Sequence, residues 1–368
     1  MNVIVTGGGT AGHVFPALAV ARELRDAHGA SLTYIGSTDG QEATLVPAEG
    51  IAFVGLRVAS AQSRFSLSTV RAAALAGRGA RACRDVVARA DVVVSIGGFA
   101  SAAAALAARH ARRPLVLMEP NSVPGIVNRI AARWAAVVAT TFAATARRLP
   151  PGVRVERTGN PVRPEIAGVL GARDRLRMEA RAAFDLEEGR TTVLVVGGSQ
   201  GALHIDQVVA ETLPRFADRT DLQLLVATGP AHLDVVARAI DPRARLIVRA
   251  VPFIERMDRA LAIADLVVSR AGGSVAELAV CGLPAILVPY PFATEHHQDA
   301  NAHEVADAGA ATVIRDDALS PSTLSAGILE LMGDRDRRRR MGEAALAWAR
   351  PDAAARIAAL ALEVAERR

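Results

Sequence analysis

Two glycine-rich turns, each directly after a run of apolar residues, constrain the fold of this chain more than any other feature. The first covers residues 7–12 and follows the run 3–5, and the second covers residues 197–202 and follows the run 193–196. Each is typical of a strand, a tight turn and a helix, in which backbone approaches a ligand closely and free helix N–H groups point at an anion. Two such turns, 190 residues apart, predict two nucleotide-type domains that face each other across a cleft.

Apolar runs alternate with helical patterns through both halves of the chain, which predicts an α/β fold with parallel sheets covered on both faces. Strands are predicted near residues 2–6, 31–36, 51–56, 92–96, 114–118, 135–139, 153–158, 192–197, 222–227, 245–249, 265–269, 284–288 and 311–314. Helices are predicted at 14–28, 69–89, 203–216, 231–239, 274–281 and 298–307. Two prolines within 159–164 mark the boundary between an N-terminal domain at 1–160 and a C-terminal domain at 165–345. A last helix over about 346–368 is expected to pack back on the N-terminal domain.

The composition limits where the chain works and which chemistry it performs. Its 368 residues suit two domains, and its two cysteines, Cys83 and Cys281, suit a reducing compartment. No run reaches the roughly 18 apolar residues of a membrane span, and no basic region precedes the first apolar run, so we expect a cytoplasmic protein without a signal peptide. All 43 basic residues are arginines, which excludes a Walker-type phosphate loop and Schiff-base chemistry because both need a lysine.

Positive charge is concentrated in the segment 64–113, which holds nine arginines and two acidic residues. Such a segment suits either nucleic acid or an anionic membrane surface. Phe65 and Phe99 are its only aromatic residues, whereas single-stranded nucleic acid is bound largely by aromatic stacking. We therefore expect no nucleic acid partner.

The first glycine turn fits the dinucleotide pattern G-x-G-x-x-G but lacks the acidic residue that closes the second strand and holds a ribose. The predicted strand ends at Gly36, and the acidic residues Asp39 and Glu42 come later. Paired domains of this kind are also more typical of glycosyltransferases than of dehydrogenases. His13 stands where the turn opens its helix, and the unperturbed pKa of histidine, about 6.5, suits a general base near neutral pH.

The segment 269–277 offers a second set of ligand groups after a predicted strand. Its glycines and Ser274 suit a diphosphate held on helix N–H groups. Glu277 lies one turn inside the following helix, where it either accepts two ribose hydroxyls or acts only as a favourable first-turn acid.

Two further segments raise the question of a metal. Zinc at His296 and His297 is disfavoured because adjacent histidines do not face one another on a helix and no third ligand is evident. Gln298 and Asn301, in the same segment, suit sugar hydroxyls instead. The Asp-Arg-Asp spacing at 334–336, used for metal binding by some glycosyltransferases, lies far from any glycine turn. We therefore expect no metal and no other cofactor.

A set of motifs in order along the chain carries a family resemblance. They are Gly-Gly-Thr-x-Gly-His at 8–13, Ser-Ile-Gly-Gly-Phe at 95–99, Gly-Asn-Pro-Val-Arg at 159–163, Gly-Gly-Ser-Gln-Gly-Ala at 197–202, Ser-Arg-Ala-Gly at 269–272, Gly-Leu-Pro-Ala at 282–285, and Gln298 with Asn301. The chain resembles the MurG family, bacterial transferases that add N-acetylglucosamine to lipid I in peptidoglycan synthesis. The resemblance covers nearly the whole chain.

The resemblance implies a GT-B fold of two Rossmann-like domains and an inverting reaction without a cofactor. UDP-N-acetylglucosamine would bind the C-terminal domain and lipid I, the polyprenyl-diphosphate acceptor, the N-terminal domain. The implied donor contacts are Thr10, Ala11, Gly12, Asn121, Arg163, Ser199, Ile254, Ser274, Glu277 and Gln298. His13 is the implied candidate for the base, with Glu119 as its rival. The family's usual His-Glu-Gln-Asn is replaced here by Met118-Glu119-Pro120-Asn121, so no role for a histidine at position 118 carries over.

Three alternatives remain open at this point: transfer to another lipid acceptor, a UDP-sugar 2-epimerase, and a non-catalytic nucleotide-sugar-binding protein. An epimerase would need catalytic carboxylates around the sugar, and the sequence shows no such cluster.

The acceptor implied by the resemblance has a polyprenyl tail, so we expect a peripheral protein on the anionic cytoplasmic surface of the cell membrane. The basic segment suits this role through an apolar patch ringed by arginines. Its residues are Phe65, Leu67, Arg71, Leu75, Arg78 and Arg81. The alternative is a solvated helix whose apolar side packs on the sheet.

Overall fold

A computed structural model describes residues 1–8, 11–57, 67–198 and 201–367 of the chain. The chain divides into two compact units. The first unit comprises Met1–Arg163 and Arg350–Arg368, and the second comprises Pro164–Ala349.

The first unit is built on a seven-stranded parallel sheet. Its strands are β1 (Asn2–Thr6), β2 (Ser31–Ser37), β3 (Ala52–Leu56), β4 (Val92–Ser95), β5 (Leu115–Glu119), β6 (Val137–Thr140) and β7 (Val155–Arg157). The helices between them are α1 (Ala11–Asp26), α2 (Glu42–Ala48), α3 (Leu67–Ala82), α4 (Arg84–Ala88), α5 (Phe99–His110) and α6 (Ile126–Ala131). The spatial order of the strands is β3-β2-β1-β4-β5-β6-β7.

Helices cover both faces of this sheet, which explains the uninterrupted apolar runs of its central strands. In β4, Val92 and Val94 enter a first core that α1 completes, while Val93 enters a second core on the opposite face. Successive side chains of a strand point to opposite faces, so a strand covered on both sides has no position for a solvated residue.

The second unit has a six-stranded parallel sheet. Its strands are β8 (Thr191–Val196), β9 (Leu222–Ala227), β10 (Ile247–Val251), β11 (Leu266–Ser269), β12 (Ala285–Leu287) and β13 (Ala311–Val313). Its helices are α7 (Pro164–Ala167), α8 (Arg173–Phe184), α9 (Leu203–Thr212), α10 (Leu233–Ala237), α11 (Met257–Ile263), α12 (Ser274–Val280), α13 (His297–Asp307), α14 (Pro321–Gly333) and α15 (Arg335–Trp348). The strand order is β10-β9-β8-β11-β12-β13, which is the Rossmann order.

The last helix, α16 (Ala353–Glu366), belongs to the first unit. Its Ile357 and Ala361 enter the first core, and Glu363 forms an ion pair with Arg154 at 2.7 Å. The predicted start of this helix near residue 346 is wrong, because α15 ends at Trp348 and α16 begins only at Ala353. Pro351 separates the two helices, since proline disfavours helical geometry in the residue before it.

All thirteen predicted strands are present, with ends within two residues of the prediction. The single helix predicted over 69–89 is wrong: α3 and α4 are separated at Cys83, whose buried side chain enters the second core and whose φ of −94° and ψ of 3° are not helical. Among the residues described, no helix is long and apolar enough to cross a membrane.

Candidate functional site

The strand order of each sheet determines where a ligand binds. In each sheet the order reverses between the first and the fourth strand, that is, between β1 and β4 and between β8 and β11. Open parallel sheets of this kind bind ligands beyond the carboxyl ends of the strands at such a reversal. The described residues that follow these strands include 7–8 and 11–12 of the first glycine loop (7–12), the β4 loop (96–98), 197–198 and 201–202 of the second glycine loop (197–202), and the β11 loop (270–273).

Two buried side chains hold the first glycine loop. The Tyr34 hydroxyl donates a hydrogen bond to the carbonyl oxygen of Gly7 at 2.6 Å. The Glu42 carboxylate accepts the backbone N–H of Ser37 at 2.8 Å, and a Cβ at Gly8 would overlap it. A side chain at position 8 would therefore have to displace the Glu42 carboxylate, a contact that the sequence did not reveal.

The catalytic candidate His13 lies half-buried in the first turn of α1. Ala11 and Gly12 begin the same helix, while Thr10 lies outside the described residues. The Arg163 guanidinium carbon lies 5.0 Å from the centroid of the Phe15 ring, a cation–π contact. The structure thus places Arg163 beside the first turns of α1, within the same unit as His13.

The β4 loop packs directly on the first glycine loop. Gly97 and Gly98 have φ of 105° and 85°, values that glycine adopts readily. A Cβ at Gly98 would lie 2.8 Å from the carbonyl oxygen of Gly8. The Ser101 hydroxyl donates to the carbonyl oxygen of Gly97 at 2.7 Å. The positive φ of both residues, together with the close approach of the Gly8 carbonyl to Gly98, explains why the motif at 95–99 has two consecutive glycines.

Glu119, the rival base candidate, is only 2% exposed at the end of β5. Its two carboxylate oxygens accept the backbone N–H groups of Asn121 and Gly125, both at 3.0 Å, and the side-chain amide of Asn128 at 2.9 Å. Burial raises its pKa to about 7. Met118, one of the two departures from the family pattern, lies in the first core.

The Asn128 side chain ties this arrangement to β4. Its Nδ2 also donates to the carbonyl oxygens of Ile96 and Met118 at 3.2 and 2.9 Å. Its Oδ1 is buried and has no hydrogen-bond partner among the residues that the structure describes. Glu119 and Asn128 therefore fix the segment 120–125 between the ends of two neighbouring strands.

The end of the second glycine loop at Gly201 is closely packed. Gly201 has φ of 76°, and a Cβ there would overlap the carbonyl oxygen of Thr228. Asp206, in the first turn of α9, is fully buried; its Oδ2 lies 3.3 Å from the backbone N of Ala202 and 3.2 Å from Nδ1 of His232. Burial raises the pKa of Asp206 to about 6. The predicted donor contact Ser199 lies outside the residues described.

Three predicted donor contacts gather around the β11 loop. The Ser274 hydroxyl donates to the carbonyl oxygen of Arg270 at 3.3 Å. The Gln298 carbonyl oxygen accepts the backbone N–H of Tyr290 at 3.0 Å, and a Cβ at Gly272 would lie 3.6 Å from the Gln298 amide nitrogen. Glu277 is half-buried one turn into α12.

A buried arginine anchors the β11 loop to the next strand. Arg270 is 8% exposed, forms an ion pair with Asp316 and donates to the carbonyl oxygens of Val288 and Pro289 at 3.3 and 3.1 Å. Asp316 also lies 2.9 Å from Nδ1 of His204 on α9. This network connects the two sides of the strand-order reversal in the second sheet.

Ile254 and Asn301 are both buried in the second unit. Ile254 is 3% exposed in the connection between β10 and α11. The Asn301 amide donates to the carbonyl oxygen of Ala271, in the β11 loop, at 3.0 Å. Asn301 thus holds the backbone of the β11 loop, and its contact with sugar hydroxyls stays a prediction.

Strained backbone precedes α13. Glu295 and His296 both have positive φ, 51° and 52°, which costs free energy in residues other than glycine and is common at functional sites. Burial lowers the pKa of His297. Within the part of the chain that the structure describes, no three His, Cys, Asp or Glu side chains are grouped so that they could hold a metal ion.

The basic segment is described only in part. Arg78 and Arg81 are exposed on α3 and Leu75 is half-buried. Phe65 and the side chains of Leu67 and Arg71 lie outside what the structure describes.

Comparisons with known proteins cover both units. The family model "Glycosyltransferase family 28 N-terminal domain" matches residues 3–140, and "Glycosyltransferase family 28 C-terminal domain" matches residues 192–357. A protein of Moorella thermoacetica, named UDP-N-acetylglucosamine–N-acetylmuramyl-(pentapeptide) pyrophosphoryl-undecaprenol N-acetylglucosamine transferase, is 39% identical over 375 aligned residues that cover all of both chains. The chain belongs to the MurG family.

Solved structures agree with this assignment. The crystal structure of MurG from Acinetobacter baumannii matches with a TM-score of 0.78 and 27% identity, over 98% of this chain and 99% of that one. A UDP-GlcNAc 2-epimerase from Neisseria meningitidis matches with a TM-score of 0.69 but only 13% identity, over 99% and 100% of the two chains, and so shares the fold alone. The predicted GT-B fold of two Rossmann-like domains is confirmed for this MurG family member.

Proposed function

We propose that the protein is an inverting N-acetylglucosaminyltransferase that moves N-acetylglucosamine from UDP-N-acetylglucosamine to lipid I in peptidoglycan synthesis. The observation that carries the proposal is the full-length match, at 39% identity, to a transferase whose name states this donor sugar and a muramyl-pentapeptide pyrophosphoryl-undecaprenol acceptor. The match spans both units, so it includes the loops at both strand-order reversals.

In the proposed reaction, a hydroxyl oxygen of the acceptor attacks the anomeric carbon of N-acetylglucosamine from the side opposite to the diphosphate. The new carbon–oxygen bond forms as the bond to the UDP oxygen breaks, and UDP leaves as an anion. A base on the protein accepts the hydroxyl proton. The reaction needs no oxidant or reductant.

The second unit supplies the donor site of this proposal. The second glycine loop and the N-terminus of α9 hold the diphosphate through backbone N–H groups. Glu277 accepts the ribose hydroxyls, the backbone at Ile254 reads the uracil edge, and Gln298 contacts the sugar. The fixed backbone of the β11 loop, held by Ser274 and Asn301, supports these contacts because it positions α12 and its Glu277 before the donor arrives.

We assign the base to His13 rather than to Glu119. Both oxygens of Glu119 already accept N–H groups, and its side chain is buried. That arrangement suits a residue that positions the segment 120–125. His13 lies half-buried at the start of α1, beside the first glycine loop, and histidine titrates in the range in which a general base works best.

Turnover with UDP-N-acetylglucosamine and a lipid I analogue tests the function. The proposal requires release of UDP and formation of the disaccharide product only when both substrates are present. Product formed with another polyprenyl-diphosphate sugar but not with lipid I would indicate a different lipid acceptor. Conversion of UDP-N-acetylglucosamine to its 2-epimer would indicate an epimerase, and donor binding without any turnover would indicate a binding protein.

We also propose that α3 brings the enzyme to the anionic cytoplasmic face of the membrane. A Cβ at Gly79 would lie 3.0 Å from the Ala103 side chain of α5, and Ala80 is buried in the second core. This packing leaves Arg78 and Arg81 exposed, and each basic residue near an anionic leaflet contributes about 1 kcal/mol.

Sedimentation with phosphatidylglycerol or phosphatidylcholine vesicles tests the membrane proposal. We expect binding to the anionic vesicles only, weakened by salt and by Arg78→Glu with Arg81→Glu. The matched control is Arg335→Glu with Arg339→Glu, which makes the same charge change on exposed residues of α15. Equal loss of binding in both double variants would show that net charge alone, rather than α3, attracts the protein.

A further inference from the structure

A buried acid–histidine pair lies against the second glycine loop. Asp206 is fully buried, and its Oδ2 lies within hydrogen-bond distance of both Ala202 N and His232 Nδ1. Its other oxygen, Oδ1, has no hydrogen-bond partner among the described residues. An ionised carboxylate in such a place is under-solvated, because a buried charge is stable only when it is paired and fully hydrogen-bonded.

The pair is in direct contact with the loop backbone. A Cβ at Gly201 would lie 3.0 Å from Nδ1 of His232, so the imidazole packs on the loop without an intervening side chain. The Ala202 N–H, which donates to Asp206, lies at the N-terminus of α9. Helix N-terminal N–H groups are the donors that a bound phosphate uses, so the carboxylate and a phosphate on this loop compete for the same region of positive potential.

The other surroundings of Asp206 supply little compensating charge. Burial raises the pKa of Asp206, and the Ala202 N–H, His232 and Arg270 lower it by less, so the net direction is upward. Arg270 is itself engaged by Asp316. Helix α14, which also packs on α9, contributes the apolar side chains Leu324 and Ile328 to the common core.

We propose that Asp206 is a positioning residue that holds the second glycine loop for the donor diphosphate, and that donor binding is coupled to uptake of a proton by the Asp206 carboxylate. The proposal rests on the proposed function, since it takes the ligand of this loop to be a nucleotide-sugar diphosphate. The diphosphate adds negative charge next to a buried carboxylate, which favours the protonated carboxyl group. Because burial already raises the pKa of Asp206, this added charge raises it further and makes the carboxylate take up a proton.

Two variants distinguish the effect of the Asp206 hydrogen bonds on donor binding from the effect of its charge. Asp206→Asn keeps a carbonyl oxygen that accepts from Ala202 and His232 but takes up no proton, whereas Asp206→Ala removes both. We expect Asp206→Ala to weaken the binding of UDP-N-acetylglucosamine by about five- to thirtyfold, the effect of one or two lost hydrogen bonds. Asp206→Asn is expected to bind at least as tightly as the wild type at pH 8.

Titration calorimetry with UDP-N-acetylglucosamine, in buffers of different ionisation enthalpy between pH 6 and pH 8, measures the proton directly. We expect the wild type to take up part of a proton and to bind more tightly as the pH falls, by up to about tenfold per pH unit. Asp206→Asn should take up none and show no such pH dependence. Uridine, which has no phosphate, should bind without proton uptake in both proteins and serves as the ligand control.

The possible outcomes are distinct. Tight donor binding by the wild type without proton uptake, or the same uptake in Asp206→Asn, would overturn this inference and leave the proposed function intact. A wild-type protein that binds uridine but not UDP-N-acetylglucosamine, or neither, would overturn the proposed function and this inference with it. If Asp206→Ala does not fold, Asp206→Asn and the pH series still decide the matter.

Discussion

We expect the buried carboxylate of Glu119 to make the stability of the protein depend on pH, and the variant Glu119→Gln to lack this dependence. The side chain is 2% exposed, and burial raises its pKa from 4.5 to about 7. A group whose pKa is raised on folding contributes stability that is fully present below its unfolded pKa and is lost as the pH rises through its folded pKa. The contribution of Glu119 is therefore present below pH 4.5 and disappears as the pH passes about 7.

The size of this effect follows from the pKa difference. Each pKa unit corresponds to about 1.4 kcal/mol, so the shift from 4.5 to about 7 amounts to about 3–4 kcal/mol in total. About 2 kcal/mol of this falls between pH 5.5 and pH 8. We expect the free energy of unfolding of the wild type, relative to Glu119→Gln, to fall by that amount across this range. Glutamine does not titrate, so the variant lacks the dependence.

The two tryptophans of the chain make the measurement specific to one unit. Trp134 lies in the first unit and Trp348 in the second. In a Trp348→Phe background, denaturant unfolding followed by tryptophan fluorescence reports on the unit that contains Glu119. Unfolding free energies are compared at equal m-values, because a change in m indicates a change in the unfolding reaction itself.

The variant Glu49→Gln is a matched control in the same unit. The Arg22 guanidinium, 2.5 Å from its carboxylate, lowers the pKa of Glu49. Its contribution to stability is therefore present above its unfolded pKa and is lost only in acid, outside the range from pH 5.5 to pH 8. Wild-type and Glu119→Gln profiles that run parallel across this range, or a wild-type advantage that grows with pH, would refute the argument from burial.

Three further variants test the catalytic and binding assignments. His13→Ala should lower kcat by about 10²–10⁴-fold with the donor dissociation constant unchanged in calorimetry; a kcat within threefold of the wild type would return the base to Glu119. Glu277→Ala should lower kcat/KM for the donor by about 10–150-fold, the effect of losing a hydrogen bond to a charged group worth about 1.5–3 kcal/mol, and steady-state kinetics with unchanged values would contradict the ribose role. Gly201→Ala should lower both the midpoint of thermal unfolding and the donor affinity far more than the control Gly189→Ala. Both glycines have positive φ, but only at Gly201 would a Cβ overlap the backbone of Thr228. Equal effects of the two variants would mean that backbone strain alone matters.

Much of the candidate site could be predicted from the sequence, because its loops follow the strands that the sequence predicts. The glycine turns, His13, Glu277 and Gln298 come directly after or close to apolar runs, and the carboxyl ends of parallel strands meet at one edge of a sheet. The structure places Ser274, Gln298 and Glu277 around the β11 loop. Their roles in donor binding remain predictions.

The residues that hold these loops could not be predicted from the sequence. Glu42, Asn128 and Asp206 are ordinary polar residues in the sequence, and the motif that contains Arg270 does not indicate that its side chain is buried. Asn128 bonds to Ile96, 32 residues away, and Arg270 pairs with Asp316, 46 residues away. Glu119 shows the consequence, since the sequence admits it as a base whereas the fold surrounds it with N–H donors.

The sequence by itself determined the α/β class, the thirteen strands and the places where backbone must turn tightly. These follow from local rules: a strand covered on both faces needs a continuous apolar run, and left-handed backbone favours glycine. Only the tertiary structure decided the strand order, the break at Cys83 and the burial of Glu119 and Asp206. The physical reason is that burial and hydrogen bonding of a polar side chain depend on groups brought together from distant parts of the chain, and the same carboxylate is a solvated acid or a buried, proton-binding one according to those groups.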